Sequence, residues 1–345
     1  MVWWNLESRT SPIVCSQNRL FPTCPSITNH PSIDPFPIIL INLATYRSLP
    51  PYSVQYLWTH RPDLQQHVPT SSYSALMNIS FQRLNADASV SLEVNSFKCV
   101  VDPWLVSSEI DGSRFFNEAW HTSPVCSLEK NKLFSMRNLD AIVITLPFSD
   151  HCHELTLEEM DDDIPIVCNI DVKKRLEGHF GKARKNVILV PRFPEYVTVK
   201  KNVEFSSIGS EKLLDFTHGG LIIKVQRRRS TSHSSIFIAP HGMILDSHPA
   251  LQVLQDMHWS LLLTTFSTYV LPLFLGGTVN LGSEKAFKLI KTLQPDKAID
   301  IHSEQKSTRG LVPLIARPAY PSVQELQEAL GDVLVSCSYE KQKVI

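Results

Sequence analysis

The chain has 345 residues, of which 43% are apolar and only 19% charged. That composition excludes a wholly disordered polypeptide and can fill a substantial core, as one large domain or one domain with an appendage. A formal net charge of -1 and a pI near 6.9 leave no electrostatic footprint for nucleic acid or an anionic membrane, so neither is expected as a partner.

The segment 1–76 differs in kind from the rest. Pro12, Pro22, Pro25, Pro31, Pro35, Pro37, Pro50, Pro51, Pro62 and Pro69 leave little room for helix or central strand, which predicts a mostly irregular extension. Its first residues show no basic stretch followed by an apolar core, so no secretory signal is expected. The seven cysteines follow no short repeated spacing. A disulfide scaffold or cysteine zinc finger is therefore not expected, and a reducing, cytoplasmic location is.

From residue 77 to 345 a single α/β domain is predicted. Period-two alternation over 79–84 and 89–94, followed by 98–101, predicts an opening antiparallel set. Strands over 139–145, 165–169 and 186–190 alternate with helices starting at 156 and spanning 171–177. Strands 203–207, 221–225 and 236–239 predict a second antiparallel set, the last two joined across a basic, turn-rich 226–234 read as a solvated hairpin loop. Helix 249–257, strand 261–265, helix 284–293, strand 297–301 and helix 322–330 complete the order, which implies two mixed sheets with helices outside.

One stretch competes with a soluble reading, because no Asp, Glu, Lys or Arg occurs between Asp256 and Glu284. Its length is compatible with a membrane span. Thr264, Thr265, Ser267, Thr268, Pro272, Gly276 and Gly277 interrupt it, and a buried strand over 261–266 followed by an apolar loop is expected instead.

Three predicted strands end in histidines. Residues 141–145 lead to Asp150, His151 and His153; 236–239 lead to His241; 298–301 lead to His302. Each alone has an ordinary reading: Asp150–His151 as a helix-start pair, His241 as a turn residue, His302 as a loop residue. Together they predict two imidazoles and one carboxylate meeting at the carboxyl ends of strands, a donor set suited to Zn, Fe or Mn.

Asp102-Pro103-Trp104-Leu105, the run TLPFSDHCHELTL from Thr145 to Leu157, Pro240-His241-Gly242, the run GGTVNLG from Gly276 to Gly282, and His302-Ser303-Glu304-Gln305-Lys306 carry a resemblance. In this order they resemble a fungal-type branch of the metallo-β-lactamase-fold superfamily, over roughly 77–318. The resemblance implies an αββα four-layer sandwich of two mixed β-sheets flanked by helices, with a metal site at one edge between the sheets. It also implies a metal-activated water that attacks an ester, amide, thioester or phosphodiester.

The departures from the family pattern are specific. The signature His-x-His-x-Asp-His falls on Leu146-Pro147-Phe148-Ser149-Asp150-His151, so both leading histidines, which normally hold the first metal, are missing. What remains resembles the second site, with Asp150, His151 and His302 as ligands of one divalent metal, zinc in the first place and Fe or Mn as alternatives. His241 is a replacement ligand or an acid/base. His153 is the other candidate to move a proton, or to orient the site from the following helix. Trp104, Glu304 and Lys306 are expected to face substrate, and Cys152 has no expected role.

Two functions follow. The first is a hydrolase-like enzyme acting on an ester, thioester or related bond of a small organic molecule through a mononuclear site. The second is a catalytically silent, metal-free protein of the same fold that binds a ligand or partner.

Overall fold

The computed structural model describes residues 78–126, 138–181, 186–211, 215, 217–226, 233–336, 339 and 341–345. The proline-rich extension 1–76 and most of the basic loop expected at 226–234 lie outside the described residues.

Two sheets dominate. In the first, strands lie in the order Gln342–Lys343, Ile79–Arg83, Val90–Val94, Phe97–Val101, Ala141–Ile144, Ile166–Cys168 and Val187–Leu189. In the second the order is Lys297–Asp300, Trp259–Thr264, His233–Ala239, Gly219–Gln226, Val203–Gly209 and Val197–Lys200. Each sheet has an antiparallel half and a parallel half. Phe97–Val101, Ala141–Ile144, Ile166–Cys168 and Val187–Leu189 run parallel, as do His233–Ala239, Trp259–Thr264 and Lys297–Asp300.

Period-two patterning explains the layers. Ala141 and Val143 face the central core between the sheets, while Ile142 and Ile144 face outward beneath helices Glu154–Glu158 and Ile170–Phe180. On the other sheet Ile236 and Ile238 join the central core, and Phe237 and Ala239 pack outward under helices Leu251–Gln255 and Gly282–Leu293. Strands covered on both faces need apolar residues at successive positions, which is why these runs read as continuously hydrophobic. The result is helix, sheet, sheet, helix, as the resemblance implies.

The charge-poor stretch after Asp256 contains the expected buried strand. It supplies the buried strand Trp259–Thr264, two short strands, Thr268–Val270 and Thr278–Leu281, and a single 3-10 turn at Leu273–Leu275. Among the described residues no helix is long and apolar enough to cross a membrane. Both short strands belong to one small sheet with Arg317–Ala319; another joins Glu109–Asp111, Asn117–Trp120 and Ser307–Gly310. Sequence periodicity did not reveal these sheets, because strands of three or four residues are too short to establish a period.

Candidate metal centre

Parallel strands deliver their carboxyl ends to one edge of the sandwich, and the predicted ligands meet there. One ligand atom each from Asp150, His151, His241 and His302 lies within 4.8 Å of the others. The three histidines are buried and Asp150 is half-buried. The rings of His241 and His302 stack at 4.7 Å, and His151 stands edge-on to both, 4.9 Å from His241 and 4.8 Å from His302. His151 Nε2 lies 3.0 Å from His241 Nε2 and 3.6 Å from Asp150 Oδ1, and His302 Nε2 lies 3.5 Å from Asp150 Oδ2.

Two of the imidazoles are held from behind by buried carboxylates. His151 Nδ1 donates to Asp102 Oδ2 at 2.8 Å, and His302 Nδ1 donates to Asp87 Oδ1 at 2.5 Å. A proton fixed on Nδ1 leaves Nε2 as the atom turned toward the cluster, and the carboxylate raises its basicity; this is the arrangement metal-binding histidines adopt. Asp102 is itself fixed, since Thr145 donates to it through its backbone N–H at 2.7 Å and its hydroxyl at 2.5 Å. Backbone geometry contributes as well. Asp102 (φ 44°) and His302 (φ 68°) occupy the left-handed region, which is uncommon outside glycine and turns the chain sharply as each strand ends.

Lys306 ties the acidic side of the cluster together. Its ammonium lies 2.9 Å from Asp87, 3.1 Å from Asp150 and 3.5 Å from Glu109, above the Trp104 ring at 4.9 Å. Burial opposes its charge, but Asp150, Asp87 and Glu109 together hold its pKa well above the ordinary lysine value. Burial pushes Glu109 up to about 8 despite Lys306. Burial also opposes ionisation of Asp150, yet Lys306 and the surrounding histidines keep its carboxyl well below the usual range. Among the histidines, burial disfavours charge on His151, but Asp150 and Asp102 outweigh it and raise the imidazole to about 9. His241 goes the other way, held well below the ordinary value by burial and then by His302 and His151. His241 Nδ1 is buried without a hydrogen-bond partner among the described residues.

Other expected residues sit elsewhere. His153 does not join the cluster: it caps helix Glu154–Glu158, accepting from the Thr156 N–H, while its Nε2 donates to the Ser108 carbonyl at 3.2 Å. Both ring nitrogens are thereby engaged, which corrects the expectation that it moves a proton in the site. Trp104 is fully buried, packed on His121 at 3.8 Å, and forms a floor under Lys306 rather than a wall facing substrate. Glu304 lines the cavity, but its carboxylate is occupied by His121 at 2.5 Å and by the N–H groups of Thr122 and Ser123. Cys152 is buried in the outer core, outside the cluster.

The positions where the family pattern has its first two histidines are filled by packing. Leu146 is buried, and the Phe148 ring stacks on His241 at 5.7 Å. Asp87 and Glu109 escaped the sequence reading because each is an unremarkable loop or strand-edge acid until the fold brings it to His302 or Lys306. Asp102 carried a signal, an acid directly after an apolar strand and before a proline, that sequence reading used only for the resemblance.

Above the cluster opens a cavity of about 460 Å³, lined on one side by Asp150, His241, His302 and Lys306 and on the other by the small sheets and the 311–316 turn. The donor set, its convergence and its carboxylate backing could hold a divalent ion.

Fold and site together define a metallo-β-lactamase-fold chain. Solved structures similar to it include an isothiocyanate hydrolase from Delia radicum gut bacteria, with TM-score 0.53 and 16% identity over 76% of this chain and 98% of that one. A possible metal-dependent hydrolase from Veillonella parvula DSM 2008 has TM-score 0.52 and 14% identity over 77% and 98%. Igni18, a metallo hydrolase from Ignicoccus hospitalis KIN4/I, has TM-score 0.50 and 13% identity over 77% and 98%. At such identities the likeness speaks for the fold and not for a substrate. No protein-family model matches the chain, and no curated protein sequence matches it.

Proposed function

We propose that this chain is a hydrolase that uses a single divalent ion, zinc ahead of Fe or Mn, held by Asp150, His151, His302 and His241, and acts on a small organic molecule. One observation carries the reading: four ligand atoms from three strand ends lie within 4.8 Å of one another, two of the imidazoles backed by buried carboxylates. Imidazole with carboxylate suits these borderline metals, and neighbours of the same fold are described as metal-dependent hydrolases. An ion bound there supplies Lewis acidity toward a carbonyl or phosphoryl oxygen and makes a water more acidic.

The chain's own residues do the rest. Asp102 and Asp87 orient His151 and His302 through Nδ1. Lys306 keeps Asp150 ionised and turned toward the cluster. His241 replaces the missing ligands through Nε2, since its partner-free Nδ1 and depressed basicity keep it neutral. An ester or thioester carbonyl in the cavity would lie against Phe148 and the Lys306 side.

Metal analysis of protein from metal-replete expression, set beside Asp150→Ala, His302→Ala and His241→Ala, tests this reading, together with turnover of an ester and thioester panel. About one equivalent in the unmodified protein and loss in all three variants is expected. Retained metal with lost turnover in His241→Ala would make His241 an acid/base instead of a ligand. No metal in the unmodified protein would leave the silent, ligand-binding reading.

A further inference from the structure

The walls of the cavity restrict what can enter it. Five carboxyl groups line it, on Asp87, Glu109, Asp111, Asp150 and Glu304, and among the described lining residues Lys306 is the one Lys or Arg. That ammonium is already bridged to Asp87, Asp150 and Glu109. An anionic ligand would find no free cationic side chain there and would face the carboxylates of Asp87, Asp111, Asp150 and Glu304 at short range, where charges interact strongly because water is scarce.

The opposite wall is apolar. Leu271, Leu275, Val312, Pro313 and Ala316 line it, from the 271–276 and 311–316 segments. Leu273, Phe274 and Leu314 on the same segments are largely exposed, at 90%, 79% and 79%. Apolar side chains thus continue from the wall out onto the surface of both segments.

We propose that the site accepts a lipophilic small molecule that is uncharged or cationic, and that it rejects anions such as carboxylates, sulfonates and phosphate esters. This rests on the same cavity as the proposed hydrolase but not on its chemistry. A single divalent ion on the cluster would engage Asp150 and still leave the carboxylates of Asp87, Asp111 and Glu304 in the lining.

The test is binding rather than turnover, so its failure and that of the hydrolase reading are distinguishable. A matched set sharing one phenylbutyl body, ending in alcohol, trimethylammonium or sulfonate, is titrated calorimetrically into the full-length protein, as purified and after chelation. Alcohol and trimethylammonium are expected to bind at least about tenfold tighter than sulfonate in both forms. Leu275→Arg, which adds a cation to the apolar wall, is expected to close that gap, and Leu271→Asp to weaken the alcohol about tenfold. Sulfonate binding equal to or tighter than the alcohol's, or no binding by any of the three, overturns the proposal.

Discussion

At the scale of single residues the centre depends on who holds whom. Asp102 touches no candidate ligand except His151, yet it fixes which nitrogen of that ring carries the proton. Asp102→Asn is a clean probe, because Asn tolerates the left-handed φ of 44° and can still accept the Thr145 N–H. Metal affinity should fall roughly 10–100-fold while the thermal midpoint moves little. Competition with a chromophoric chelator reads the first quantity and a melting curve the second; unchanged affinity would remove Asp102 from the site. Proton linkage gives another prediction. With His151 raised to about 9, an ion must displace a proton from it at neutral pH, so zinc uptake should release protons and weaken as pH falls. An indicator dye in weakly buffered solution detects the release, and affinity that is flat across the neutral range would argue against His151 as a ligand.

At the scale of elements, packing decides which glycines matter. Gly220 lies in strand Gly219–Gln226, paired on both sides, and a Cβ there would stand 2.1 Å from the Ile238 carbonyl oxygen. The neighbour is strand backbone and cannot swing aside, so Gly220→Ala should cost about 3 kcal/mol or more, or give insoluble protein. Gly178 is the contrast. It sits inside helix Ile170–Phe180 with nothing within 4 Å of a built Cβ, and Gly178→Ala should stabilise by about 0.5–1 kcal/mol through helix propensity. Urea unfolding of both variants separates the cases; equal effects would mean that the close strand approach does not govern stability.

At the scale of the whole molecule, the two ends of the described domain close the first sheet. Gln342–Lys343 pairs with Ile79–Arg83, the Val344 N–H donates to Ile79 at 2.8 Å, and the Ile79 N–H donates to Ile345 at 3.2 Å. Val344 and Ile345 pack against the central core. Removing residues 341–345 would strip an edge strand and part of that packing, for a loss of about 2–3 kcal/mol. A lowered unfolding midpoint with metal content intact is expected; an unchanged midpoint would mean that the closing strand is dispensable.

Much of this architecture was legible in the linear chain, and for a physical reason. The runs at 141–144, 236–239 and 261–263 are apolar at every position because both faces of their strands are covered, and that pattern is local. Asp150 and His151 lie a few residues beyond the first run, His241 just beyond the second, and His302 just beyond strand Lys297–Asp300, so strand ends alone could nominate them. What the sequence could not contain is proximity. Asp87 reaches His302 from 215 positions away, and Lys306 reaches Asp150 from 156. Their roles exist only once the parallel strands bring these loops to one edge. The same holds for His153, whose place beside the ligands in sequence suggested chemistry and whose helix cap turns it away. Residue order fixed the fold and the ligand candidates; tertiary approach alone decided which carboxylates hold them, which histidine serves structure, and that the lysine stands among acids.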